Sequence, residues 1–227
     1  MPQLTIEIRN EGTGRVHNGV TWNSRLIEIA IGSATTNSDL EEDWIMTHEM
    51  IHLAFPDLPA QHLWMEEGLA TYLEPLLRVR SNTISAATMW IDLVDSLPEG
   101  QPVKGYSLDE DRSWGRTYWG GAGYWLQADL LIWDRTAGRH SIATVLRAVL
   151  NASGDGSESW SLERVFATAR QATGVDVLAE LHREHGLKAK RVDWDAWWNK
   201  LGVRRNRNSV TFIPDAPWAA VRDGLTR

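Results

Sequence analysis

The chain has 227 residues, 43% of them hydrophobic and 23% charged, which is enough to bury a sizeable core in one compact domain or two closely packed lobes. Its net charge of −7 argues against nucleic acid as the main partner. The absence of cysteine excludes disulfides and thiolate metal sites, so any metal must be held by His, Asp or Glu.

Met1-Pro2-Gln3-Leu4-Thr5-Ile6-Glu7 has neither the basic nor the apolar region of a signal peptide, which favours the cytoplasm, and no apolar run approaches the length of a membrane span. Residues 4–8 alternate apolar and polar and predict a strand. After a polar turn and Val20-Thr21-Trp22, residues 25–32 predict a second, β-branched strand. Ser38, with Glu41 three residues on, makes a capping box for a helix running to about Phe55, where Pro56 and Pro59 forbid continuation. A second helix over 63–80 carries Pro75, which predicts a kink or break. A third covers 84–97, and the Pro-, Gly- and acid-rich stretch 98–113 is a long loop of the kind often found near sites.

Residues 118–136 form a long apolar helix opened by Gly120-Gly121-Ala122-Gly123, and 141–152, 161–173, 176–185 and 193–201 read as further helices. A terminal strand over 209–213 precedes a proline-bearing tail. The basic run Arg204-Arg205-Asn206-Arg207 reads as a solvated linker. Most of the 13 tryptophans flank helices and read as packing residues, while Trp114 and Trp119, near the glycine-rich stretch, could line a cleft.

Within the helix before Pro56 stands His48-Glu49-Met50-Ile51-His52. Histidines four apart on a helix lie about 40° apart around its axis and can share one ion, with the glutamate beside a bound water. This is the HExxH arrangement of zinc hydrolases, in which the glutamate is the general base. A catalytic zinc needs a third protein ligand. Glu67, on the next helix, is the best candidate, since a short turn could bring that helix back antiparallel. Glu66 competes from about 100° around the same helix.

His48 to His52, followed by Leu63-Trp64-Met65-Glu66-Glu67-Gly68-Leu69-Ala70-Thr71-Tyr72, resembles the gluzincin metallopeptidases, in particular aminopeptidase N-like and glycyl aminopeptidase-like enzymes. The resemblance covers roughly residues 15–150. It implies that Glu67, the glutamate before the glycine, is the third zinc ligand. Arg116-Thr117-Tyr118-Trp119-Gly120-Gly121-Ala122 is similar to a Tyr-x-x-Gly-Ala stretch of the same enzymes, which implies that the Tyr118 hydroxyl stabilises an oxyanion. Gly19-Val20-Thr21-Trp22-Asn23 stands where such aminopeptidases carry Gly-x-Met-Glu-Asn, whose glutamate grips the substrate's free amino terminus. This chain has Trp22 there, a substrate-binding candidate able to offer only a cation–π contact.

The other histidines carry less. His62 reads as a surface residue or an outer support of the site, His182 and His185 as part of a solvated amphipathic helix, and His17 and His140 receive no role. The expectation is an α+β, mostly helical chain with a thermolysin-like, two-lobed catalytic domain. Residues 1–80 would carry a small sheet and the metal helices, and 81–227 a helical lobe. A zinc ion at His48, His52 and Glu67 would act on a peptide or protein substrate, with Glu49 and Tyr118 catalytic. The competing expectation is a non-catalytic binding or scaffold protein derived from such an enzyme.

Overall fold

A computed structural model describes residues 3–226 and has the expected α+β, mostly helical composition. Strands β1 (Thr5–Asn10), β2 (Val16–Trp22) and β3 (Leu26–Ile31) form one sheet in the order β1-β3-β2. The middle strand pairs parallel with β1 and antiparallel with β2. Being central, β3 is the strand with buried side chains: Ile27 and Ile29 pack against Ile45 of the following helix.

The single helix expected from Ser38 to Phe55 is two helices, α1 (Asn37–Glu41) and α2 (Ile45–His52). The capping box belongs to Thr36 and Asp39, not Ser38 and Glu41. Thr36-x-x-Asp39 and Ser38-x-x-Glu41 offer the same pattern two residues apart, and the earlier one is used. The restart is set by Asp43, whose carboxylate accepts from the Met46 N–H at 3.0 Å, as an N-cap does.

Helix α3 (Leu63–Arg80) runs through Pro75 as one element, so the expected break does not occur. The proline removes only the N–H that would have met the Thr71 carbonyl, and it is buried among the helix's own packing residues. Helix α4 (Ala86–Ser96) follows, and a π-helical turn at Arg116–Gly120 then leads into α5 (Gly121–Arg135). Helices α6 (Ile142–Asn151), α7 (Leu162–Thr173), α8 (Val177–Leu181) and α9 (Trp194–Leu201) pack around α3 and α5 in one large core. A hairpin of β4 (Val203–Asn206) and β5 (Ser209–Phe212) and a last helix, α10 (Ala219–Leu225), complete the fold.

Two readings of charged stretches are corrected. The basic run is no linker: residues 204–206 lie in β4, and Arg205 makes a two-pronged pair with Asp95, both bonds 2.8 Å. Nor are His182 and His185 on a solvated face. The chain widens into a π-helical turn at His182–Gly186, and both rings are buried there. His182 lies face to face with Trp64, ring centroids 6.3 Å apart, and its Nε2 is 2.9 Å from Asp109 Oδ2. His62 is likewise buried, not exposed, with Nδ1 2.9 Å from the other oxygen of Asp109.

The closest approach of backbones lies between α3 and α5. A Cβ on Gly68 would meet Gly121 main-chain atoms at 2.3 Å, and one on Gly121 would meet the Trp64 carbonyl at 2.0 Å. One turn along, the Trp125 indole N–H donates to the Met65 carbonyl at 2.7 Å. Replacing Gly68 with alanine should therefore push the helices apart and cost about 1–3 kcal/mol of stability. Chemical denaturation of the variant measures this, and an unchanged midpoint would contradict the close crossing.

Candidate metal centre

Helix α2 is eight residues long, with His48 at its fourth position and His52 at its last. Their rings stand edge to face, centroids 5.2 Å apart. The turn at residues 53–62 reverses the chain, and α3 brings Glu67 back over them. Nε2 of His48 lies 3.1 Å from Glu67 Oε2, and Nε2 of His52 is 3.7 Å from the same oxygen. One ligand atom from each of the three residues falls within 4.8 Å of the others. Glu66 takes no part in this cluster: its Oε1 accepts from the Leu58 N–H at 3.0 Å and holds the reversing loop.

Burial and pairing set the protonation of these groups. Burial pushes the His52 imidazole down to about 4, so it is neutral in ordinary buffers with a lone pair available to an ion. Glu67 is pushed up by burial, but His48, His52 and Tyr118 outweigh that and hold its carboxyl below the usual range. The donor set is thus imidazole, imidazole and carboxylate, which suits zinc. Burial raises Glu66 to about 7, although its bond from Leu58 pulls the other way.

Glu49 is 8% exposed and lies on the β2 side of the site. Burial raises its pKa, and the Thr21 hydroxyl, 2.8 Å from Oε2, partly opposes the rise. The same hydroxyl is 2.8 Å from the Glu49 carbonyl. Thr21 is the residue that sequence reasoning passed over in favour of its neighbour. Side chains alternate along a strand, so Gly19 and Thr21 share one face. A Cβ on Gly19 would meet Ile45 Cγ2 at 2.4 Å and Glu49 Cγ at 2.7 Å, which identifies that face as the one against α2. Trp22 therefore turns outward. It is 51% exposed, and its indole N–H donates to Glu28 Oε2 at 3.1 Å, away from the metal cluster. The signal that could have found Thr21 is this parity, read from Gly19.

Tyr118 enters from the π-helical turn, its ring 6.0 Å from that of His48 and roughly parallel to it. Burial, with Glu67 and Glu49 nearby, raises its hydroxyl to about 12, so the group is a neutral phenol able to donate. Trp114, itself 60% exposed, stacks on the outer face of Tyr118 at 5.5 Å. Trp119 instead packs against the core. Glu49, His52, Glu67, Tyr118 and the Gly19–Thr21 stretch of β2 line a cleft of about 360 Å³. The structure thus brings His48, Glu49, His52, Glu67 and Tyr118 together and leaves Trp22 aside.

No protein-family model matches the sequence, and no curated protein matches it either. Among solved structures the chain is similar to an aminopeptidase N family protein from Idiomarina loihiensis, with a TM-score of 0.67 and 15% identity. The match covers 88% of this chain and 41% of that one, so the chain spans less than half of the neighbour's length. At that identity the likeness is one of fold.

If Thr21 holds the Glu49 carboxylate, Thr21→Val should raise the Glu49 pKa further, because a donor to the charged form is lost. A titration of the metal-free protein labelled with 13C at glutamate carboxyls reads this directly. A fall in that pKa would contradict the contact.

Proposed function

We propose that this chain is a zinc-dependent hydrolase of peptide bonds, of the gluzincin kind. One observation carries the reading: two imidazoles and a carboxylate converge at the wall of an open cleft, with a second, unshared carboxylate beside them. His48, His52 and Glu67 would hold the ion. Zinc held there supplies Lewis acidity toward a carbonyl and brings the pKa of water down toward neutrality.

The chain's own residues would divide the remaining work. Glu49 takes up the proton of the attacking water and returns it to the leaving amine, and its burial-raised pKa moves it toward the range in which both transfers are favourable. Thr21 engages Oε2 of that carboxylate, which leaves Oε1 for the proton. Tyr118, neutral across the ordinary pH range, donates a hydrogen bond to the oxygen that becomes negative. Trp114 covers its outer face and limits its motion.

In this reading the chain is a thermolysin-like catalytic domain of two lobes. Residues 1–80 contribute the sheet and metal ligands, and 81–227 contribute Tyr118. The substrate is a peptide or protein. The similarity in fold to an aminopeptidase N family protein supports the peptidase class. A second reading, a binding or scaffold protein derived from such a peptidase, is favoured by Trp22, which stands where the resemblance implies an amine-gripping glutamate. Turnover separates the two.

Zinc content and peptide hydrolysis are the measurements. Glu49→Gln should keep the metal and lose about 10²–10⁴-fold in kcat; an unchanged rate would remove Glu49 from the mechanism, and no hydrolysis by the unaltered chain would favour the scaffold. Tyr118→Phe should lower kcat by about 10²-fold with little change in KM. Full kcat in that variant would take the phenol out of the site.

A further inference from the structure

A second convergence of metal-type donors lies apart from the cleft. The loop carrying Asp109 is pinned to the π-helical turn by two backbone bonds, Leu108 N–H to the His185 carbonyl at 2.8 Å and Asp109 N–H to the Gly186 carbonyl at 3.2 Å. The Asp109 carboxylate thereby enters between His62, at the start of α3, and His182. Each histidine nitrogen is 2.9 Å from a different oxygen of that carboxylate. We propose that His62, Asp109 and His182 form a second site for a divalent transition metal of the zinc type, one that staples the fold.

Three features support it. The first is geometric. One donor atom from each residue lies within 4.8 Å of the others, as at the first centre. Ligand atoms around a tetrahedral zinc stand about 3.3 Å apart for bonds of 2.0–2.1 Å, so small shifts suffice. Both carboxylate oxygens face the two histidine nitrogens, so His62, Asp109 and His182 would supply three protein ligands. The second is support from outside. The Trp64 indole N–H donates to Asp109 Oδ1 at 2.8 Å, the kind of bond that orients a ligating carboxylate.

The third is charge. The Asp109 side chain is 14% exposed, and among the described residues no lysine or arginine pairs with it. Its two oxygens face nitrogens of His62, His182 and Trp64 instead. A buried anion needs a counter-charge. A divalent ion supplies one; a protonated histidine is the competing source, and metal content tells them apart. None of the three residues borders the cleft at Glu67. An ion here would tie α3, the 106–111 loop and the turn after α8, segments far apart in the chain.

The test is metal counting on the full chain after zinc loading and dialysis, in the wild type, His48→Ala/His52→Ala and Asp109→Asn. The expected result is that His48→Ala/His52→Ala retains one ion per chain and that Asp109→Asn loses one relative to wild type. Cobalt in place of zinc should give visible d–d absorption in the double variant and raise its Tm. A folded His48→Ala/His52→Ala chain that holds no ion overturns the proposal. Should that variant fail to fold, the Asp109→Asn count decides: a metal content equal to wild type overturns it. One ion in the wild type, kept without His48 and His52 but lost in Asp109→Asn, would support this site while sinking the first.

Discussion

The contact on which the candidate centre depends holds no functional side chain. Where α3 and α5 cross, Gly68 and Gly121 bring main chain against main chain. Glu67 directly precedes the first glycine, and Tyr118 stands one turn before the second. The distance between the Glu67 carboxylate and the Tyr118 phenol is therefore set in large part by two backbones, which have no rotamers to relax into. Side-chain packing of ordinary helices at 8–10 Å would leave that distance adjustable. The buried Trp125 indole, bonded to the Met65 carbonyl, fixes the same crossing one turn further on.

On the opposite wall a third glycine does similar work. Gly19 lets β2 lie directly on α2, and the Thr21 hydroxyl then reaches Glu49. Ile27, Ile29 and Ile45 hold the two elements together in a small cluster of their own. Because Asp43 restarts the helix, α2 is short, with His48 at its middle and His52 at its C-terminal end. That end carries the negative pole of the helix dipole, which favours a cation. The strand, the helix restart and the ligands thus serve one placement.

Features carried by local periodicity were legible in the sequence: strands β1, β3 and β5, α3 to α9 within a few residues, and the spacing of His48, His52 and Glu67 on two consecutive helices. What failed depended on choices between equivalent local options or on contacts distant in sequence. Thr36 and Ser38 present similar capping boxes two residues apart, and the chain uses the one at Thr36. Trp22 stands out in the sequence only because the resemblance sets it against a glutamate, whereas the inward face of Thr21 depends on Gly19 packing against α2. Arg205 looked like a solvated charge because its partner, Asp95, lies 110 residues earlier. His182 looked solvated for the same reason. Its counterparts are Asp109 on a loop with no periodicity and His62 at a helix start.

The two histidine–carboxylate clusters have nearly the same donors and share α3, for Trp64 supports one and Glu67 belongs to the other. What separates them is access. Glu67 and His52 border a cleft that a substrate can enter, with an unshared carboxylate, Glu49, beside them. Asp109 turns one oxygen toward each histidine and receives an indole N–H as well, and none of the three residues borders that cleft. Under the two proposals, an ion at the first cluster would meet a substrate in the cleft, and an ion at the second would tie its three segments together. Donor chemistry alone, which is all a sequence displays, is the same for both, and the proposed difference in role rests on which cluster the cleft reaches.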